Sequence, residues 1–169
     1  MRLSFELLNK RHDRASFTCG VAELDRWFKL HAGQEETRNV ARVVVANDEH
    51  GVAGFYTLSM FSLSIEHIPP AIAHKLPRYP DVPATLIGRL ARAQRLRGQG
   101  VGDLLVADAV SRVLDASRTI ATFAIVVDAQ DDAASSFYQR LGFIPFPSRP
   151  TRLFLLVETA AVARSRVAP

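Results

Sequence analysis

The chain has 169 residues, 48 % of them hydrophobic, and 21 Lys and Arg against 17 Asp and Glu give it a formal net charge of +4. That composition supports one domain, residues 1–169, with a real core, and excludes a disordered chain; no run approaches the ~18 apolar residues of a membrane span. The single cysteine, Cys19, excludes an internal disulfide and a cysteine-based metal cluster, and the charged stretch up to Arg14 is unlike a secretory leader, so a cytoplasmic protein is expected.

The segment Leu3 to Leu8 alternates and predicts a first strand. Basic residues Lys10, Arg11 and Arg14 follow in a loop. An amphipathic helix is expected from about Val21 to Thr37, with Leu24, Trp27, Phe28 and His31 on one face. His31 is expected as a core or boundary histidine, and Cys19 as a small buried or capping residue. Val40 to Ala46 is β-branched, residues 47 to 51 turn, and Val52 to Ile65 forms a second strand of the hairpin.

Between His67 and Pro83 lie five prolines, at 69, 70, 77, 80 and 83. Proline removes a backbone donor and fixes φ, so a long surface loop is predicted, with a helical turn near 71–76. Ala84 to Arg92 predicts a strand, then Arg97-Gly98-Gln99-Gly100-Val101-Gly102 a turn, then Asp103 to Ser117 a helix. On that helix Val106, Ala109, Val110, Val113 and Leu114 share a face. Ile120 to Val127 is apolar throughout, as in a strand buried on both faces. Asp131 or Asp132 caps a helix running to Leu141, which Gly142 ends. Phe143–Phe146 and Leu153–Val157 predict the last two strands, and residues 160–169 a frayed tail.

The glycine-rich turn has two readings. It is either a plain strand-to-helix connection or a phosphate cradle. Glycines let backbone N–H groups approach an anion closely, and a helix N-terminus adds unpaired N–H groups and a positive dipole end. No Gly-Lys-Ser/Thr closes it, so it is not a Walker loop, and its spacing is not that of a dinucleotide fingerprint.

The spacing Arg-x-x-Gly-x-Gly between strand and helix resembles the pyrophosphate loop of the GNAT superfamily of N-acetyltransferases. The element order resembles that family over nearly the whole chain, as does the helix ending Phe137-Tyr138-Gln139-Arg140-Leu141-Gly142-Phe143. The segment Phe17-Thr18-Cys19-Gly20, followed by Leu24, Asp25 and Trp27, together with Gly88-Arg89-Leu90-Ala91, is similar to the aminoacyl-tRNA-acetylating toxins of type II toxin–antitoxin pairs. One departure is Arg92-Ala93-Gln94, where a hydrophobic and then an acidic residue are expected.

The resemblance implies an α/β (α+β) GNAT fold: a single mixed, mostly antiparallel central sheet with helices on both faces. It implies acetyl-CoA as co-substrate, no metal, charged tRNA as acceptor and a ribbon-helix-helix antitoxin as partner. It admits a homodimer and calls for no membrane. Arg97, Gly98, Gln99, Gly100, Val101 and Gly102 would hold the pyrophosphate, while backbone N–H groups near Leu90, Ala91 and Arg92 would polarise the acetyl carbonyl. Tyr138 would protonate the departing thiolate; otherwise it is a packing residue with its hydroxyl at the rim. Lys75, Arg78, Arg89, Arg149 and Arg152 are candidates for tRNA phosphates, against the plain reading of a solvated surface. Two other functions stand beside this one: a small-molecule amine acetyltransferase, and a non-catalytic acyl-CoA-binding module.

Overall fold

A computed structural model describes residues 1–168. The elements follow in the order β1 (Ser4–Leu7), α1 (Ala22–Leu30), α2 (Ala32–Thr37), β2 (Arg42–Asp48), β3 (Gly51–Ser64), α3 (Pro70–Ala73), β4 (Asp81–Arg92), α4 (Val101–Ala116), β5 (Ala124–Asp128), α5 (Asp132–Arg140), β6 (Ile144–Phe146), β7 (Arg149–Leu156) and α6 (Val157–Val167). Seven strands form one mostly antiparallel sheet in the order β1-β2-β3-β4-β5-β7-β6.

The chain divides into two compact units: Met1–Ser59 with Ile87–Ala109, and Met60–Leu86 with the chain from Val110 onward. In the first unit β1 pairs with β2 and β2 with β3, both antiparallel. Its core is aromatic. The rings of Phe28 and Phe55 stack at 4.2 Å, and Phe17 meets both edge-on. Phe28 and Phe55 are fully buried, each contributing roughly 1.5–3 kcal/mol by leaving water.

In the second unit β5 pairs with β7 and β7 with β6, again antiparallel. Ala124 to Val127 are all fully buried, as an apolar run covered on both faces requires. Leu63, Val82, Ala84, Phe146 and Phe154 close the core around them.

Several expected elements shift. The helix expected over 21–37 is two helices, because the backbone turns at His31 (φ −119°) after its N–H bonds Trp27 O. The turn carries Ala32 into the core and leaves His31 exposed, so His31 is not a core histidine. Cys19 is half-buried, and its backbone N–H donates to Asp25 Oδ1. A 3-10 turn at Ile65–His67 leads into the proline-rich segment, which holds α3. Pro83 lies within β4; its carbonyl accepts from Phe123 N–H at 2.7 Å, so the strand keeps a ladder bond there. β5 begins only at Ala124, since Ile120 stands 60 % exposed.

The expected tail is instead α6. It is fixed by Arg164, whose Nη1 donates to Ser111 O at 3.4 Å and to Asp115 Oδ1 at 2.8 Å. Only Pro169 of that segment falls outside the described residues. Asp131 does cap α5, accepting from Ala134 N–H at 2.7 Å, and Gly142 ends it at φ +97°.

Candidate active site

In the first unit, β4 ends in a 3-10 turn at Gln94–Leu96 that leads into the glycine loop. Leu96 O accepts from Gln99 N–H at 3.2 Å, which tightens the turn. Gly98 and Gly100 sit at φ +78° and +76°, a region that favours glycine. A Cβ built on either would meet nothing within 4 Å, so the outer face of the loop is open. Val101 is fully buried and anchors the first turn of α4 in the core, while Gly98, Gln99 and Gly100 stay exposed. Amides in a first helical turn have no intrahelical acceptor, and the dipole favours negative charge there. The loop is therefore a fit receptor for a pyrophosphate.

Two contacts fix the loop's approach. Ala93 N–H donates to Ala53 O at 2.7 Å, and Gly54 lets β3, β4 and α4 come close. A Cβ on Gly54 would lie 2.8 Å from Ala91 O and 2.9 Å from a Leu105 methyl. Arg95 donates to both carboxylate oxygens of Asp48, at 2.7 and 2.8 Å. That bond, more than any other influence, holds the Asp48 carboxyl below the usual carboxylate range. A cavity of about 760 Å³ opens beside this pair, lined by Arg2, Asn47, His50, Leu96 and Gln99 among others.

Arg89 occupies a local network. Its guanidinium lies 4.2 Å over the Trp27 ring and 3.7 Å from Glu35, and Trp27 Nε1 donates to Glu35 at 2.9 Å. Arg89 N–H donates to the hydroxyl of buried Thr57 at 2.9 Å. Leu90 and Arg92 are half-buried on β4, and Ala91 is buried between them.

In the second unit, Tyr138 sits on α5 with its ring 5.1 Å from Phe137 and 5.5 Å from Phe143. It is 7 % exposed, and burial pushes its phenol up to about 12, so it keeps its proton at neutral pH. Arg152 bonds both oxygens of Asp128, at 2.8 and 3.0 Å. Lys75, Arg78 and Arg149 are exposed. Among the described residues, none groups three His, Cys, Asp or Glu to hold a metal ion, and no helix is long and apolar enough to cross a membrane.

The structure thus keeps the glycine-loop residues together, and gives Arg89 and Arg152 carboxylate partners that local sequence does not announce. The Asp48–Arg95, Trp27–Glu35–Arg89 and Tyr56–Asp108 contacts had no sequence signal, since their partners lie far apart in the chain.

A family model for the acetyltransferase (GNAT) domain matches residues 39–145. The chain is 33 % identical over 158 residues to the probable toxin TacT of Sinorhizobium fredii, covering 88 % of this chain and 87 % of that one. It is 32 % identical over 148 residues to the tRNA-acetylating toxin of Mycobacterium tuberculosis, covering 88 % of each. Its fold matches that of AtaT complexed with acetyl-methionyl-tRNAfMet at a TM-score of 0.90 and 28 % identity, over 96 % of this chain and 99 % of that one. A tyrosine-to-phenylalanine mutant of AtaT, bound to the C-terminus of the antitoxin AtaR and to acetyl-CoA, matches at 0.82 and 26 % identity, over 98 % and 99 %. The chain belongs to the GNAT acetyltransferase family.

Proposed function

We propose that the whole chain serves as one catalytic domain that transfers acetyl from acetyl-CoA to the α-amine of aminoacyl-tRNA. By blocking translation in the cytoplasm it acts as a toxin, held in check by a ribbon-helix-helix antitoxin. The observation that carries this reading is the open glycine loop at the start of α4, in a chain whose relatives include a tRNA-acetylating toxin.

Chemically, the amine must be neutral, the carbonyl polarised and the thiolate protonated. A free α-amine has a pKa near 7.7–8.0, and the neighbouring ester carbonyl lowers it further, so a useful neutral fraction exists at pH 7 without a strong base. The amine nitrogen attacks the thioester carbon directly, the C–S bond breaks, and the amine's extra proton passes to water. In this reading Arg97 to Gly102 hold the pyrophosphate and backbone N–H groups near Leu90 to Arg92 polarise the carbonyl. Tyr138, which holds its proton at neutral pH, gives it to the departing sulfur, and the phenolate takes a proton back from water.

Incubation with labelled acetyl-CoA and total charged tRNA tests the reading. The label is expected on the amino acid of the charged tRNA. Label appearing instead on free polyamines or other small amines, with charged tRNA untouched, overturns it in favour of a small-molecule acetyltransferase.

A further inference from the structure

A cavity of about 390 Å³ lies in the second unit, beside the turn between β6 and β7. Its size is within the range of small-ligand sites. Its floor is apolar: Phe61, Leu63 and Phe146. Asp81 and Arg149 stand in its wall, and neither side chain has a hydrogen-bond or ion-pair partner among the described residues. An acid and a base that share a cavity without pairing leave one acceptor and one forked donor free for a ligand.

Arg152 completes the wall. It faces Asp128 directly in the β5–β7 register, and the two bonds between them fix the guanidinium plane. Its Cζ lies 4.9 Å from the Phe61 ring centroid, and 22 % of the side chain remains open to solvent. An arginine plane held this way is a stacking platform, which unpaired nucleobases use as they use aromatic rings.

We propose that this cavity seats the unpaired 3′-terminal nucleotide of the RNA acceptor. The base stacks on the Arg152 guanidinium, its exocyclic amine donates to Asp81, and its phosphate takes the forked donors of Arg149. The proposal rests on the aminoacyl-tRNA reading above and adds where the nucleotide end of that substrate is held.

The test uses the full chain and adenosine 5′-monophosphate as probe, with Arg149→Gln and Arg152→Lys variants. Arg152→Lys keeps a cation for Asp128 but loses the plane. Binding of the probe is measured by calorimetry, and KM and kcat are measured with charged tRNA. Each variant is expected to weaken probe binding and raise the tRNA KM by about tenfold. Melting temperature, acetyl-CoA affinity and kcat should stay near wild type. Ribose 5-phosphate should lose affinity with Arg149→Gln but not with Arg152→Lys.

Absence of probe binding to wild type overturns the proposal. So do variants that lose the probe yet keep the tRNA KM, because the cavity would then serve a free nucleotide. If wild type binds the probe through Arg149 but acetylates no charged tRNA, the functional reading fails and the RNA assignment with it, while the nucleotide cavity stands.

Discussion

Arg95 grips Asp48 with both arms of its guanidinium, at 2.7 and 2.8 Å, and so ties the turn before the glycine loop to the β2–β3 hairpin. The Asp48 side chain is only 7 % exposed, which sets this pair apart from ordinary surface ion pairs. Replacing Arg95 with alanine leaves that carboxylate without its forked partner and loosens the loop's base. Acetyl-CoA affinity should fall about three- to tenfold. The pH dependence has a definite sign. Asp48 is held below 3.8 in the folded state, so its contribution is present above pH 3.8 and is lost as pH falls through the folded value. Acid unfolding of wild type and Arg95→Ala, followed by circular dichroism, should show the variant losing less stability in that window.

The open face of the glycine loop predicts a sharp response to charge. Gly100→Asp places a carboxylate where a pyrophosphate is proposed to sit, and puts a Cβ on a backbone at φ +76°. Acetyl-CoA binding should weaken by at least about tenfold, since a like-charge contact costs more than roughly 1.4 kcal/mol. Calorimetry that finds full affinity in the folded variant would remove the loop from the binding site.

Tyr138→Phe removes one hydroxyl and keeps the ring that packs on Phe137 and Phe143. As the proposed proton donor, its loss should cost about 10²–10⁴-fold in turnover, with acetyl-CoA affinity unchanged. Turnover within about threefold of wild type would make Tyr138 a packing residue. Stability carries a second signature. The phenol is raised from 10.0 to about 12 in the folded protein, so its contribution is intact below pH 10 and is lost as pH rises toward 12. Two pH units correspond to roughly 3 kcal/mol, and the phenylalanine variant should lack that alkaline limb.

Gly54→Ala tests the close approach of β3 to β4 and α4. Its added methyl would stand 2.8 Å from Ala91 O, a backbone atom with little freedom to yield. Overpacking of this kind costs about 1–3 kcal/mol. Thermal and urea unfolding should show the loss, and a variant as stable as wild type would mean that the strands separate readily at that point.

The parts legible in the sequence are those written in local pattern. The β-branched run at Val43 to Val45, the apolar block Ala124 to Val127 and the glycine spacing after β4 each announce their element. The order of strands and helices followed from such patterns, and the family likeness added the single mostly antiparallel sheet they form. What stayed hidden depends on partners distant in the chain. α6 has no apolar stripe to mark it; Arg164 fixes it to Ser111 and Asp115, about fifty positions away. The break at His31 is set by burial of Ala32, which no helical pattern in 21–37 signals. Arg89 reads as a free cation until Trp27 and Glu35 are seen beneath it. Arg152 likewise reads as one until Asp128 is found opposite it in the strand register.

Trp27 is the chain's single tryptophan, and the Arg89 guanidinium covers one face of its indole. All tryptophan fluorescence from this protein therefore originates beside one arginine. A ligand that draws Arg89 toward itself uncovers the ring and alters the emission, with no label attached. The molecule carries its own optical reporter for that arginine, readable at ordinary protein concentrations and on the timescale of mixing.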